Sequence, residues 1–142
     1  MHENNPSPIF HHHAWPGFGQ IYNRELVKGI IFVILEHFDN MLGRINQAIA
    51  LDINGFHQQA IDATNFEVML FYPGFYVYAV WDSWFYAREG GDKAKTAIPF
   101  IIAGFLGEIA SLLAPKIPYP TLTIGMLMIV PMLIGMYVFR DQ

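Results

Sequence analysis

The stretch AIPFIIAGFLGEIASLLA (Ala97–Ala114), the link PKIPYP (Pro115–Pro120) and the stretch TLTIGMLMIVPMLIGMYVF (Thr121–Phe139) together decide the fold class. An apolar run of about 18 residues crosses a hydrocarbon core of roughly 30 Å as a helix. Both runs reach that length, and Glu108 is the one carboxylate or basic group inside them. The proline-rich link cannot continue a helix and turns the chain back. The pair reads as a transmembrane hairpin, helices 3 and 4, and the chain as an all-α integral membrane protein.

Composition agrees. Of 142 residues, 54% are hydrophobic and only 14% charged, against about 25% charged in soluble domains. The length suits one domain. A net charge of −4 argues against a nucleic-acid partner, and with no cysteine there is no thiolate or disulfide chemistry. The first thirteen residues are polar and Pro-containing, with no apolar stretch behind a basic start. A cleavable signal peptide is not expected, and insertion is expected to rest on the internal helices.

Upstream of the hairpin, residues 1–14 read as an irregular tail. His11, His12 and His13, with His2, have the composition of a weak, unselective metal-binding tract, and equally of a plain polar tail. Trp15-Pro16-Gly17-Phe18-Gly19-Gln20 reads as an interfacial turn or short re-entrant piece, with Trp15 and Tyr22 suited to the membrane–water boundary. Helix 1 is expected from about Asn23 to Leu51, apolar at first and amphipathic beyond Glu36. Asp52-Ile53-Asn54-Gly55 has turn chemistry. Helix 2 is expected from Phe56 to Ala87, kinked where Pro73-Gly74 interrupts it. Residues 88–95 form a polar loop.

The expected architecture is a polytopic bundle of four transmembrane helices in two hairpins, residues 15–88 and 89–142, after the tail. Basic residues set its orientation. Arg24, Lys28, Arg88, Lys93, Lys95 and Arg140 fall on one side, and only Arg44 and Lys116 on the other. Both termini are thus expected to be cytoplasmic, in a membrane of the bacterial cytoplasmic type.

The segment from Pro16 to Gly29 fits P-G-x-G-x-x-Y-x-x-x-x-x-K-G. It resembles the opening of the TM-two domain family and related bacterial membrane proteins. That resemblance covers about residues 15–88, leaves helices 3 and 4 outside, and implies a membrane hairpin but no activity. It also implies a role for Asp82, which follows Trp81 as the family's Asp closes its second helix.

In an antiparallel hairpin centred near Ile53-Asn54, Arg24 falls opposite Asp82, with Lys28 one turn on. Charge at the hydrocarbon edge needs such partners. Arg24, Lys28 and Asp82 thus read as a structural clamp, or Asp82 as an ion or proton site. The same register pairs Arg44 with Asp62 or Ala63 and Asn40 with Glu67, beside Glu36, His37, Asp39 and His57. That polar cluster is either a hydrated face or an ion site. It lacks the i, i+3 or i+4 ligand pairs of bundle metal sites, so neither metal nor cofactor is expected. Glu108 is either an intramembrane proton site or a hydrogen-bonded structural group. Ala103, Gly107 and Ser111 recur every four residues and allow close helix approach. Met128, Met132 and Met136 form a stripe that fills packing gaps or, less in keeping with their setting, passes Cu(I).

There is no phosphate loop, nucleophile elbow or zinc motif. An enzyme is not expected. The leading expectation is an accessory or scaffolding subunit that binds membrane lipids and another membrane protein or itself. The competing one is a small oligomeric cation or proton channel or transporter using Glu36, His37, Asp39, Glu67 and Glu108. A lipid-modifying enzyme is the third.

Overall fold

The computed structural model describes residues 16–88 and 90–141; the histidine tract and Trp15 lie outside them. The described chain is helical, with no strand. Four rods run alternately up and down, and the first two are broken. α1 (Phe18–Tyr22) folds back against the start of the first rod, which comprises α2 (Leu26–Gly43) and α3 (Ile45–Ile53). The second comprises α4 (His57–Ala63), α5 (Phe66–Met69) and α6 (Tyr72–Tyr86). Then come α7 (Lys93–Leu112), a one-turn 3-10 helix at Ala114–Lys116, and α8 (Pro120–Val138).

The breaks correct the two continuous helices expected upstream, and each has a local cause. Arg44 takes the left-handed conformation (φ 55°). Across it, the Asn40 side chain accepts from the Asn46 amide (3.1 Å) and so caps α3, while Gly43 O accepts from Asn65 N (3.2 Å) instead of continuing the ladder. In the second rod, Asn65 caps α5 by accepting from the Glu67 amide. Pro73 lies in the first turn of α6. Leu70 and Phe71 before it keep right-handed helical backbone, so the lapse in the ladder between α5 and α6 is the interruption expected at Pro73-Gly74, displaced a few residues upstream.

α7 begins at Lys93, inside the segment expected as a polar loop, because Asp92 caps it by accepting from the Ala94 and Lys95 amides. α8 keeps the span expected of it, and the two form the most extensive pair in the bundle. They come so close that a Cβ on Gly135 would overlap the Pro99 ring. Gly107 packs on Met128 and Pro73, Ala103 and Ser111 are fully buried, and the Ser111 hydroxyl donates to Gly107 O (2.8 Å). These residues join Val77, Val80, Trp84, Phe100, Met128 and Met132 in the core. Trp84 stacks on Phe100 at 5.7 Å.

Among the described helices, α7 and α8 are long and apolar enough to cross a bilayer, with mean hydropathy 1.4 and 2.0. Only 39% and 22% of those windows is buried within the bundle. A soluble protein's core helix would be mostly covered, so this exposure favours membrane association. α2 and α6 do not meet the same measure, which limits the four-span expectation to two spans on composition alone.

Candidate functional site

The most tightly built polar site lies where α1, α2 and the end of α6 meet. Its foundation is steric. Gly17 (φ 94°) and Gly29 pack backbone to backbone: a Cβ on Gly29 would come within 2.7 Å of Gly17 O and 2.5 Å of Ile21 Cγ1. Only residues without a side chain allow that approach, and it lays α1 across the start of α2. Gln20 is thereby driven into the interior with no exposed surface.

A fully buried amide must satisfy its hydrogen bonds internally. Gln20 Oε1 accepts from Gly17 N (3.1 Å). Its Nε2 donates to Ala79 O (2.8 Å) and to Asp82 Oδ2 (3.0 Å). The other carboxylate oxygen of Asp82 accepts from Lys28 Nζ at 2.6 Å, and Lys28 also reaches Glu25 (3.3 Å) and lies 5.0 Å from the Tyr86 ring centre. Asn23 Nδ2 donates to Ser83 O (2.7 Å). Asp82 itself is 1% exposed. The structure thus brings Lys28 and Asp82 together but leaves Arg24 exposed (φ 65°) and outside the network. Both carboxylate oxygens are occupied by donors of this chain, which suits joining three helices and leaves little room for a passing ion.

Basic and aromatic side chains gather at the same end. Lys93 donates to Tyr86 Oη (2.8 Å), Arg88 stacks over Trp84 (4.3 Å) and Arg140 over Tyr137 (4.7 Å).

A second network closes the opposite end. Asp52, 2% exposed, accepts at Oδ2 from the Thr121 amide (2.8 Å) and from the Thr121 hydroxyl. Its Oδ1 lies 2.6 Å from His57 Nδ1. His57 packs edge-on to Tyr119, 4.5 Å between ring centres. Burial pushes the Asp52 carboxyl up, but the bonds from Thr121 and His57 outweigh it and hold it below the usual carboxylate range. The carboxylate therefore ties the α3–α4 hairpin to the first turn of α8.

The chain was also compared with known proteins. No family model, curated protein or solved structure matches it. The site must therefore be read from its own geometry.

The remaining sequence-derived candidates are dispersed. Glu36 and Asp39 stay on the inner side of α2, where Asn40 donates to Glu36 (3.5 Å). Asp39 Oδ2 is buried without a hydrogen-bond partner among the described residues. Asn40 does not pair with Glu67, which is exposed at the start of α5. Asp62 accepts from Gln58 (2.9 Å) and only shares a cleft with Arg44. His57 belongs to the Asp52 network, not to the Glu36 cluster. His37 is exposed and Glu108 half-buried beside Gly74. Among the described residues no His, Asp or Glu group is arranged to hold a metal ion.

Sequence reasoning missed Gln20, Asn23, Asp52 and Thr121 as network members. Gln20 had a local signal, a polar residue three positions after Gly17 in an otherwise tight glycine motif. Asp52 and Thr121 had none, being 69 residues apart.

Proposed function

We propose that this chain is a small integral membrane bundle of four spanning segments that serves as a non-enzymatic accessory or scaffolding subunit. It binds lipids on its outer faces, and another membrane protein or a second copy of itself. It sits in a membrane of the bacterial cytoplasmic type, with the Lys28–Lys93–Arg140 end towards the cytoplasm.

The observation that carries this reading is where the apolar side chains point. Val27, Ile30, Ile31, Ile34, Phe38 and Met41 are exposed along α2, although that helix also holds charged residues on its inner side. The same outward display continues on α7 through Ile98, Ile101, Phe105 and Ile109, and on α8 through Leu122, Met126, Leu133 and Ile134. Water would make such a continuous apolar surface an aggregation site; hydrocarbon makes it ordinary. The buried carboxylates Asp52 and Asp82 are consumed in joining helices, which favours a structural over a catalytic role. The backbone contact of Gly17 with Gly29 and the Lys28–Asp82 pair support treating residues 15–88 as a TM-two-like hairpin, in which the conspicuous residues serve packing.

The transport reading keeps one observation in its favour, the unpartnered Asp39 Oδ2 beside Glu36. Reconstitution into liposomes separates the two. The expected result is no cation or proton flux, with a membrane protein or a second copy recovered alongside the tagged chain. Flux that disappears in Glu108→Gln or Asp39→Asn would overturn the accessory reading.

A further inference from the structure

We propose that a second copy of this chain lays its α2 into the groove between α6 and α7, where its His37 hydrogen-bonds to Glu108. The inference rests on the membrane-subunit reading above and names the partner that reading leaves open.

The groove holds about 360 Å³ and is walled by Tyr78, Trp81, Ile101 and Phe105. Its floor is shallow because α6 and α7 cross closely at two glycines: a Cβ on Gly104 would stand 3.8 Å from Gly74 Cα. Glu108 closes one end, its Oε1 only 3.1 Å from where a Gly74 side chain would begin. It is half-buried, yet it takes part in no hydrogen bond or ion pair among the described residues. A carboxyl at membrane depth is costly until it finds a donor, and none is supplied among the described residues.

His37 is in the complementary position. It is exposed on the outer face of α2, among the exposed Ile30, Ile34, Phe38 and Met41, and it too has no partner among the described residues. Away from the two ends of the bundle, it is the one basic side chain among the described residues on the outward faces of α2, α7 and α8.

Depth matches. α2 and α6 run in opposite directions and meet where Phe32 packs edge-on to Phe75, 5.6 Å between ring centres. His37 follows Phe32 by five residues, and Gly74, against Glu108, precedes Phe75 by one. Both groups therefore lie on the same side of that contact, within about one helical turn of about 5.4 Å of each other along the bundle. The imidazole points away from its own bundle, so the pair forms between copies. Such a contact joins two different faces and propagates to a ring or a chain of copies.

The chain holds no cysteine, which makes cross-linking specific. His37→Cys and Glu108→Cys proteins are mixed in phosphatidylcholine–phosphatidylglycerol vesicles and oxidised. We expect a disulfide dimer in the mixture, in clear excess over either variant alone. No excess in the mixture overturns the proposal. As a second readout, association is measured by energy transfer between labelled copies. His37→Glu or Glu108→His should each weaken it roughly three- to tenfold, and the two changes in one chain should restore it. A wild-type chain that stays monomeric in vesicles overturns the proposal, while recovery of a different membrane protein with it leaves the accessory reading standing. A chain that is monodisperse in plain buffer removes the membrane reading itself.

Discussion

Gln20 Nε2 and Asp82 Oδ2 lie 3.0 Å apart, 62 positions distant in sequence and both almost fully buried. This bond, with Lys28 on the other carboxylate oxygen, fixes how the entry segment, α2 and α6 meet. Removing one partner of a buried charged pair costs about 3–5 kcal/mol. Asp82→Ala should lower stability by that amount in thermal unfolding in detergent. Gln20→Ala, which strands the Gly17 amide and takes a donor from Asp82 Oδ2, should lose about 1–3 kcal/mol. Lys28→Met combined with Asp82→Asn should recover part of the loss, and a double variant no better than Asp82→Ala would count against a charge clamp.

Glycines separate into two kinds. Gly17→Ala combines a positive φ with overlap on the Gly29 carbonyl and on Val33 Cγ2 at 2.5 Å. It should destabilise by at least about 1–3 kcal/mol. Gly125 in α8 has nothing within 4 Å of a built Cβ, so Gly125→Ala should stabilise by about 0.5–1 kcal/mol through helix propensity. Melting temperatures of the two variants should move in opposite directions.

Arg44 holds a left-handed conformation without being glycine. Such a residue costs about 1–2 kcal/mol relative to glycine there, partly offset by glycine's larger unfolded-state entropy. Arg44→Gly should therefore stabilise by up to about 1 kcal/mol, and Arg44→Val should destabilise. A stabilising Val would show that the break between α2 and α3 is not fixed at this residue.

Acid should loosen the Asp52 end. Its carboxyl is held below the usual value, so its contribution is fully present above the unfolded-state pKa of about 3.9. That contribution fades as pH falls through the lower folded-state value. Wild-type melting temperature should drop over this range, more steeply than that of Asp52→Asn. At pH 7 Asp52→Ala should cost about 2–3 kcal/mol, since the Thr121 amide loses its acceptor. Equal acid sensitivity in wild type and Asp52→Asn would remove Asp52 as the cause.

Part of the site was legible for a physical reason. Lys28 and Asp82 follow from counting back along an antiparallel hairpin, because charges at a hydrocarbon edge have few permissible partners. Arg24 was a near miss of the same counting, since the short α1 and its turn rotate that residue outward. The hairpin register itself held, since Phe32 packs on Phe75, Gly43 O accepts from Asn65 N and Arg44 shares a cleft with Asp62 and Ala63. The Asn40–Glu67 and Arg44–Asp62 side chains do not bond, because the breaks at Arg44 and Thr64–Asn65 turn them to other partners. A side-chain cap from Asn40 and a backbone bond from Asn65 outweigh the helical periodicity on either side.

By itself the sequence determined what is set by local composition: the two long apolar helices, the turn between them, and the small-residue face of Ala103, Gly107 and Ser111. These depend on runs of neighbouring residues, so they survive without knowledge of the fold. Only the tertiary structure decided that Gln20 is buried, that Asp52 bonds to Thr121 across the bundle, and that Glu108 and His37 lie at similar depth without partners among the described residues. Polar side chains in a low-dielectric interior take whichever donor or acceptor the packing brings within about 3 Å, and that choice is made by segments far apart in the chain.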